Sequence, residues 1–259
     1  MNRIIPLWPG EAPYTDASPD HFQPFLKEFR IEGSLGAVIV CPGGGYTMKC
    51  DYEGDPVCKM LNEAGISAFT LDYRVAPCHV LAPLTDAKRA IRLVRSLGYE
   101  KVGILGFSAG GHLSCCAGTL FDSGDPGAQD PIERFSSRPD AFVPCYAVTS
   151  LKKFPHFAQH IPLTKNHTGD EAILRMFSAE ENVSENTPPA FIWHTAEDSL
   201  VPVANSLLLA EALSAKKVPF ELHVFPRGPH GKALAYDDPI VGQWRGMCQK
   251  WLLGLGFGR

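Results

Sequence analysis

From residue 36 onward, short apolar runs alternate with stretches whose apolar positions recur every three or four residues. The runs at 37–41, 66–72, 102–105, 141–148 and 190–195 are rich in Val, Ile, Phe and Ala. Each is nearly continuous in apolar residues, as expected of a strand covered on both faces. The run 220–225 alternates instead (Phe, Glu, Leu, His, Val, Phe) and predicts a last strand. Between these runs, Val57, Met60, Leu61 and Ala64 share one helical face. Ala87, Ala90, Ile91 and Val94 share another, in a helix predicted over 86–97 and closed by Gly98. The segments 203–216 and 240–253 predict a strongly amphipathic helix and a closing helix. Strand followed by helix throughout predicts an α/β fold, with a mostly parallel central sheet and helices on both faces.

Two regions break the alternation. Residues 1–35 are rich in Pro, Phe and acidic groups and predict an N-terminal arm with leading antiparallel strands. Residues 150–188 form a long interval between two sheet strands, and such intervals are usually functional. The expectation is a small cap insertion over the strand ends within a single domain, 1–259.

The 259 residues are 45% hydrophobic and 20% charged, enough to build a large core, and carry a net charge of −4 without a basic cluster. A nucleic-acid partner is not expected. No apolar run reaches the length of a membrane span, and the prolines at 6 and 9 interrupt any signal-peptide core. A cytoplasmic location is the expectation. Eight cysteines include no Cys-x-x-Cys pair. Cys41, Cys115, Cys116 and Cys145 lie in or beside apolar strands and a helix, where a thiol serves as a small buried group. Neither a metal site nor a cofactor is expected.

The chemistry centres on Gly106-Phe107-Ser108-Ala109-Gly110-Gly111-His112. An apolar strand precedes it and a small-residue helix follows. Strand, Gly-x-Ser-x-Gly and helix together are the context of a nucleophile elbow. Ser108 is the candidate nucleophile.

A serine hydroxyl is a weak nucleophile near neutral pH, so it needs a base, and the base needs an orienting acid. After the 190–195 strand come Ala196-Glu197-Asp198-Ser199, where Asp198 is the candidate acid and Glu197 its competitor. His194, inside the strand, reads as a packed core histidine. After the 220–225 strand, His230 stands between a Gly-Pro turn and a glycine and is the candidate base. His223 reads as a surface residue and His79, His156, His160 and His167 as solvated or cap residues, with a substrate contact open to the last three.

The oxyanion of a tetrahedral intermediate needs aimed donors. Ala109 supplies one backbone N–H, and Gly43-Gly44-Gly45 after an early strand supplies another, with Gly44 and Gly45 the candidates. Tyr46 and Phe107, with Trp8 and Phe154, are candidate aromatic contacts for substrate at the mouth.

Pro42-Gly43-Gly44-Gly45-Tyr46, then Leu71-Asp72-Tyr73-Arg74-Val75-Ala76-Pro77 with Asp86, then the Ser108 elbow, Asp198 and His230, resemble the α/β-hydrolase serine esterases. Within these the chain most resembles the carbohydrate-esterase branch of acetyl xylan esterases and feruloyl-esterase-like enzymes. The opening Leu7-Trp8-Pro9-Gly10-Glu11-Ala12-Pro13 is similar to that branch as well. The chain departs from many relatives at Pro42, where they carry His. The resemblance implies a Ser-His-Asp triad acting through an acyl-enzyme, with Asp72 and Arg74 as framework residues. The substrate it implies is a small-molecule or oligosaccharide ester losing a small acyl group, acetyl first. A feruloyl esterase, an arylformamidase-like amidase and a non-catalytic binding protein are the other readings.

Overall fold

The computed structural model describes residues 2–17 and 21–258. Residues 18–20 of the expected arm, and the two terminal residues, lie outside the described residues. The strands are β1 Ile4–Pro6, β2 Phe25–Phe29, β3 Gly36–Cys41, β4 Ser67–Asp72, β5 Lys101–Phe107, β6 Ala141–Cys145, β7 Ala190–Thr195 and β8 Phe220–Phe225. The helices are α1 Asp55–Glu63, α2 Ala82–Ser96, α3 Ala109–Thr119, α4 Pro155–His160, α5 Glu171–Met176, α6 Ala179–Asn182, α7 Ala204–Ala215 and α8 Trp244–Gly254.

All eight strands join one sheet in the order β1-β2-β4-β3-β5-β6-β7-β8. β2 runs antiparallel to both β1 and β4, and every pair from β4 to β8 is parallel. The sheet is therefore mostly parallel, with leading antiparallel strands.

Side-chain alternation along each strand divides the core in two. Ala37, Ile39 and Cys41 of β3 join Val102 and Ile104 of β5 under α2, α3 and α7. Val38 and Val40 face the other way, with Leu105 and Phe107, against α1 and α8. Both faces are covered, which is why the strands read as continuous apolar runs. Burial pushes the thiols of Cys41, Cys115, Cys116 and Cys145 above their ordinary range.

Several boundaries differ from the sequence expectation for identifiable reasons. α2 starts at Ala82, four residues early, because Pro83 sits in the first turn, where its missing N–H costs nothing. Asp86 therefore lies inside the helix, fully buried, and its carboxylate accepts from Arg74 Nη2 (2.6 Å), Nε (3.0 Å) and the Arg74 backbone N–H (2.9 Å). β6 ends at Cys145 because Tyr146 takes φ +36°. α7 is less amphipathic than expected: Leu209 and Leu213 are buried, but Leu207 is exposed, and the inner face includes Asn205 and Ser206. The closing helix begins with a short 3-10 turn, Val241–Gln243, before α8.

The interval 150–188 holds α4, α5 and α6. Phe157, Ile161, Leu163, Phe177 and Ala179 anchor it on the same core as α2, α3 and α7.

Because β3, β5, β7 and β8 are mutually parallel in direction, their C-terminal ends lie along one edge of the sheet. That edge receives the glycine loop, Ser108, the Asp198 loop and the His230 loop.

Candidate active site

Ser108 is the residue between β5 and α3, with φ +51° and ψ −115°, outside the regions comfortable for a side chain. The strain is held by close packing on both sides. A Cβ on Gly106 would come within 2.0 Å of the Gly110 carbonyl oxygen, and one on Gly110 within 2.1 Å of the Cys41 carbonyl oxygen. Only glycine permits strand, turn and helix to approach this closely. The Ser108 N–H donates to the Cys145 carbonyl (3.0 Å), and its own carbonyl accepts the His112 N–H (2.9 Å).

The structure brings Ser108, Asp198 and His230 together. The Ser108 hydroxyl donates to His230 Nε2 at 2.8 Å, and His230 Nδ1–H donates to Asp198 Oδ2 at 2.6 Å. The other carboxylate oxygen, Oδ1, accepts the N–H groups of Leu200 (3.0 Å) and Val201 (2.9 Å). Burial pushes the Asp198 carboxyl upward, but hydrogen bonds from His194, His230 and the Val201 N–H outweigh it and hold the group well below the usual carboxylate range. It is an anion throughout the neutral range. Glu197 points into solvent and meets the Gly228 N–H at 3.4 Å, so the geometry favours Asp198.

His194 is fully buried, as a core histidine should be, but it also faces the acid. Its Nε2–H donates to the Val201 carbonyl at 2.9 Å and lies 3.3 Å from Asp198 Oδ2, while Nδ1 accepts from Ser206 at 2.8 Å. The carbonyl acceptor fixes the proton on Nε2.

Ala109 opens α3, where the first amides of a helix have no intrahelical acceptor. In the glycine loop, the Gly43 N–H is taken by the carboxylate of Glu53, Oε2, at 2.8 Å. Gly44 and Gly45, with φ +128° and +62°, remain as the loop's candidate donors.

Two of the expected substrate contacts are corrected. Phe107 shares strand parity with Leu105, so it faces α8, fully buried, and packs on Tyr146 and Trp244 with ring centroids 5.6 and 6.0 Å away. Tyr46 turns inward at φ +59° and is also buried; its hydroxyl donates to His112 Nδ1 at 2.8 Å, and His112 Nε2–H donates to the Phe177 carbonyl at 2.9 Å. Neither ring reaches the mouth. Trp8 lies instead under the Arg89 guanidinium, 4.6 Å from its ring. His79 stacks on Tyr14 with centroids 4.3 Å apart, and His223 pairs with Glu221 on β8.

Three residues around this site carry no sequence signal for it: His194, Glu53 and Tyr146. His194 lies only four residues before Asp198, whereas Glu53 and Tyr146 reach the site across distant sequence. The one local hint is that Tyr146, like Ser108, directly follows a parallel strand.

A profile of the BD-FAE family matches residues 28–213. The chain is 39% identical over 220 residues to endo-1,4-beta-xylanase B of Butyrivibrio fibrisolvens, covering 81% of this chain and 34% of that protein. It is 31% identical over 226 residues to the acetylxylan esterase of Xylanibacter ruminicola, covering 80% of this chain and 45% of that protein. It thus spans less than half the length of either relative. The crystal structure of the acetyl ester-xyloside bifunctional hydrolase from Caldicellulosiruptor lactoaceticus superposes with a TM-score of 0.90 at 45% identity, over 100% of this chain and 98% of that one. With the profile covering most of the chain and the fold agreeing end to end, the chain belongs to the BD-FAE family and has the α/β-hydrolase fold.

Proposed function

We propose that this chain is a serine carboxylic ester hydrolase that removes small acyl groups, acetyl first, from acylated sugars or oligosaccharides. The observation that carries this reading is the continuous hydrogen-bonded path from Asp198 through His230 to Ser108, which stands at the head of α3 with Gly43 of the glycine loop packed against it.

In the reaction, His230 Nε2 takes the Ser108 proton as Oγ attacks the ester carbonyl. Asp198 holds the imidazole in the Nδ1–H tautomer and stabilises the imidazolium. The Ala109 N–H and the glycine-loop amides receive the oxyanion. The imidazolium then protonates the leaving alcohol. Water, activated by the same histidine, releases the acid from the acyl-enzyme.

A sugar as the alcohol portion is supported by the names of the relatives and by a cavity beside the glycine loop. That cavity, of about 590 Å³, is lined by Thr47, Pro77, His79, Leu163, Asn166 and His167 among others. Its lining from 162–167 supports reading the insertion between β6 and β7 as a cap, and its hydroxyl, imidazole and amide groups suit a polyhydroxylated leaving group.

The test is a substrate series. p-Nitrophenyl acetate, butyrate and octanoate should be cleaved with steeply falling kcat/KM. Acetate should be released from acetylated xylo-oligosaccharides more efficiently than ferulate from methyl ferulate. Faster cleavage of an anilide or of methyl ferulate overturns the small-acyl reading.

A further inference from the structure

Glu53 is a buried carboxyl group with no cation within ion-pair distance among the described residues, only 2% exposed, and unused by the reaction as written. A carboxylate in such a place is costly unless its oxygens are met by donors. Here two donors meet it, from opposite sides of the site. Oε2 accepts the Gly43 N–H at 2.8 Å, and Oε1 accepts the Tyr146 O–H at 2.6 Å. The Tyr146 oxygen in turn accepts the Ala233 N–H at 2.9 Å. The directions are fixed by chemistry. Both ends of the chain are backbone donors, so only an acceptor with two free oxygens closes it at the Glu53 end.

We propose that Glu53 is a positioning residue for the reaction: its carboxyl group ties the oxyanion loop, at Gly43, to the histidine loop, at Ala233, through Tyr146. This inference rests on the serine-hydrolase reading given above and goes beyond it.

Both ends of the tie are close to the reacting atoms. Gly43 packs against the nucleophile so tightly that a Cβ there would lie 3.1 Å from Ser108 Cβ and 2.7 Å from the Phe107 carbonyl oxygen. A small shift of Gly43 therefore moves the Gly44 and Gly45 amides relative to Ser108. At the other end, the Tyr146 ring stands edge-on to His230, centroids 5.0 Å apart at 71°, and edge-on to Trp193 at 4.9 Å and 88°. The Ala233 carbonyl is pinned by Trp244 Nε1–H at 2.9 Å. Oxyanion donors and catalytic base are thus referenced to one group. Displacement of reacting groups by about 1 Å costs about 10²-fold in rate.

The test uses Glu53→Gln and Tyr146→Phe, singly and together. A glutamine keeps the size but offers one acceptor oxygen; with that oxygen on the Gly43 N–H, its NH₂ faces Tyr146 and the Tyr146 O–H loses its acceptor. The phenylalanine leaves Gly43 held and cuts only the link to Ala233. Each single variant should lower kcat for p-nitrophenyl acetate by about 10- to 100-fold with KM within about threefold. Each should weaken binding of a phenylboronic acid, which places a tetrahedral anion on a serine oxygen, by a similar factor. The double variant should lose little more than the worse single, because the two residues are links in one path.

A folded variant of either kind with kcat within about twofold of wild type overturns the proposal. So does a fall in kcat without matching loss of boronate affinity, or losses that multiply in the double variant. If Glu53→Gln does not fold, Tyr146→Phe decides alone. Ester hydrolysis surviving in Ser108→Ala would sink the serine-hydrolase reading itself; loss in Ser108→Ala beside unaffected Glu53 and Tyr146 variants would sink only the tie.

Discussion

Replacing Asp198 by Asn exchanges one oxygen for an NH₂ group, and the surroundings decide which one. Oδ1 accepts two backbone N–H groups, from Leu200 and Val201, so the amide oxygen must stay there. The NH₂ then falls at the Oδ2 position, 2.6 Å from His230 Nδ1 and 3.3 Å from His194 Nε2. His194 presents a fixed N–H there, because its Nε2 proton is held by the Val201 carbonyl. Donor meets donor on that side. On the other, the NH₂ can be satisfied only if His230 gives up its Nδ1 proton. The imidazole then carries its proton on Nε2, facing Ser108, and cannot act as base. Loss of the correct tautomer costs roughly 10³- to 10⁴-fold in kcat, equivalent to about 4–5.5 kcal/mol of barrier. The assay is initial-rate hydrolysis of p-nitrophenyl acetate at neutral pH, with far-UV circular dichroism to verify folding and Glu197→Gln as the neighbouring control, expected within twofold of wild type. If a folded Asp198→Asn kept kcat within about tenfold, the assignment of Asp198 as the orienting acid would fail.

Other expectations follow from buried groups. Burial lowers the His112 pKa from 6.5 to about 4, so the unfolded chain binds its proton more tightly. The contribution is complete above pH 6.5, is lost as pH falls from 6.5 towards 4, and levels off below; it amounts to about 3 kcal/mol. Urea unfolding across that window should show the loss, and His112→Gln, able to accept from Tyr46 and donate to Phe177, should flatten it; parallel curves for the two proteins would refute the cause. Asp86→Ala leaves the fully buried Arg74 unpaired and should cost about 3–5 kcal/mol of unfolding free energy, against which an unchanged urea midpoint would count. Gly110→Ala drives a Cβ into the Cys41 carbonyl; a loss of about 3 kcal/mol in stability, with activity falling alongside, is expected, and a fully active, equally stable variant would show that the elbow is looser than its geometry implies.

The triad candidates were legible because each stands at the end of a parallel strand, a position that apolar runs and glycines mark in sequence. Ser108 needs glycine at 106 and 110 for steric reasons, and those reasons leave a pattern. The mouth was less legible. Phe107 looked available beside the nucleophile, but strand parity turns it toward α8. Tyr46, following three glycines, has no periodicity to reveal its inward turn. The helix predicted from Asp86 starts four residues earlier, because Pro83 opens it, and the Asp86 carboxylate serves Arg74 from inside it. Glu53 and Tyr146 meet across 93 positions of sequence, in a contact that only the closed sheet creates. Local pattern does not encode such a pair.

The central claim is that Ser108 is the nucleophile of an ester hydrolase. Its most direct test combines acetate release from acetylated xylo-oligosaccharides with labelling by a fluorophosphonate, for wild type and Ser108→Ala. Turnover and one label on Ser108 are expected in the wild type, and no label with at least about a thousandfold lower turnover in the variant. Acetate release that survives the substitution, or a label on any other residue, would contradict it.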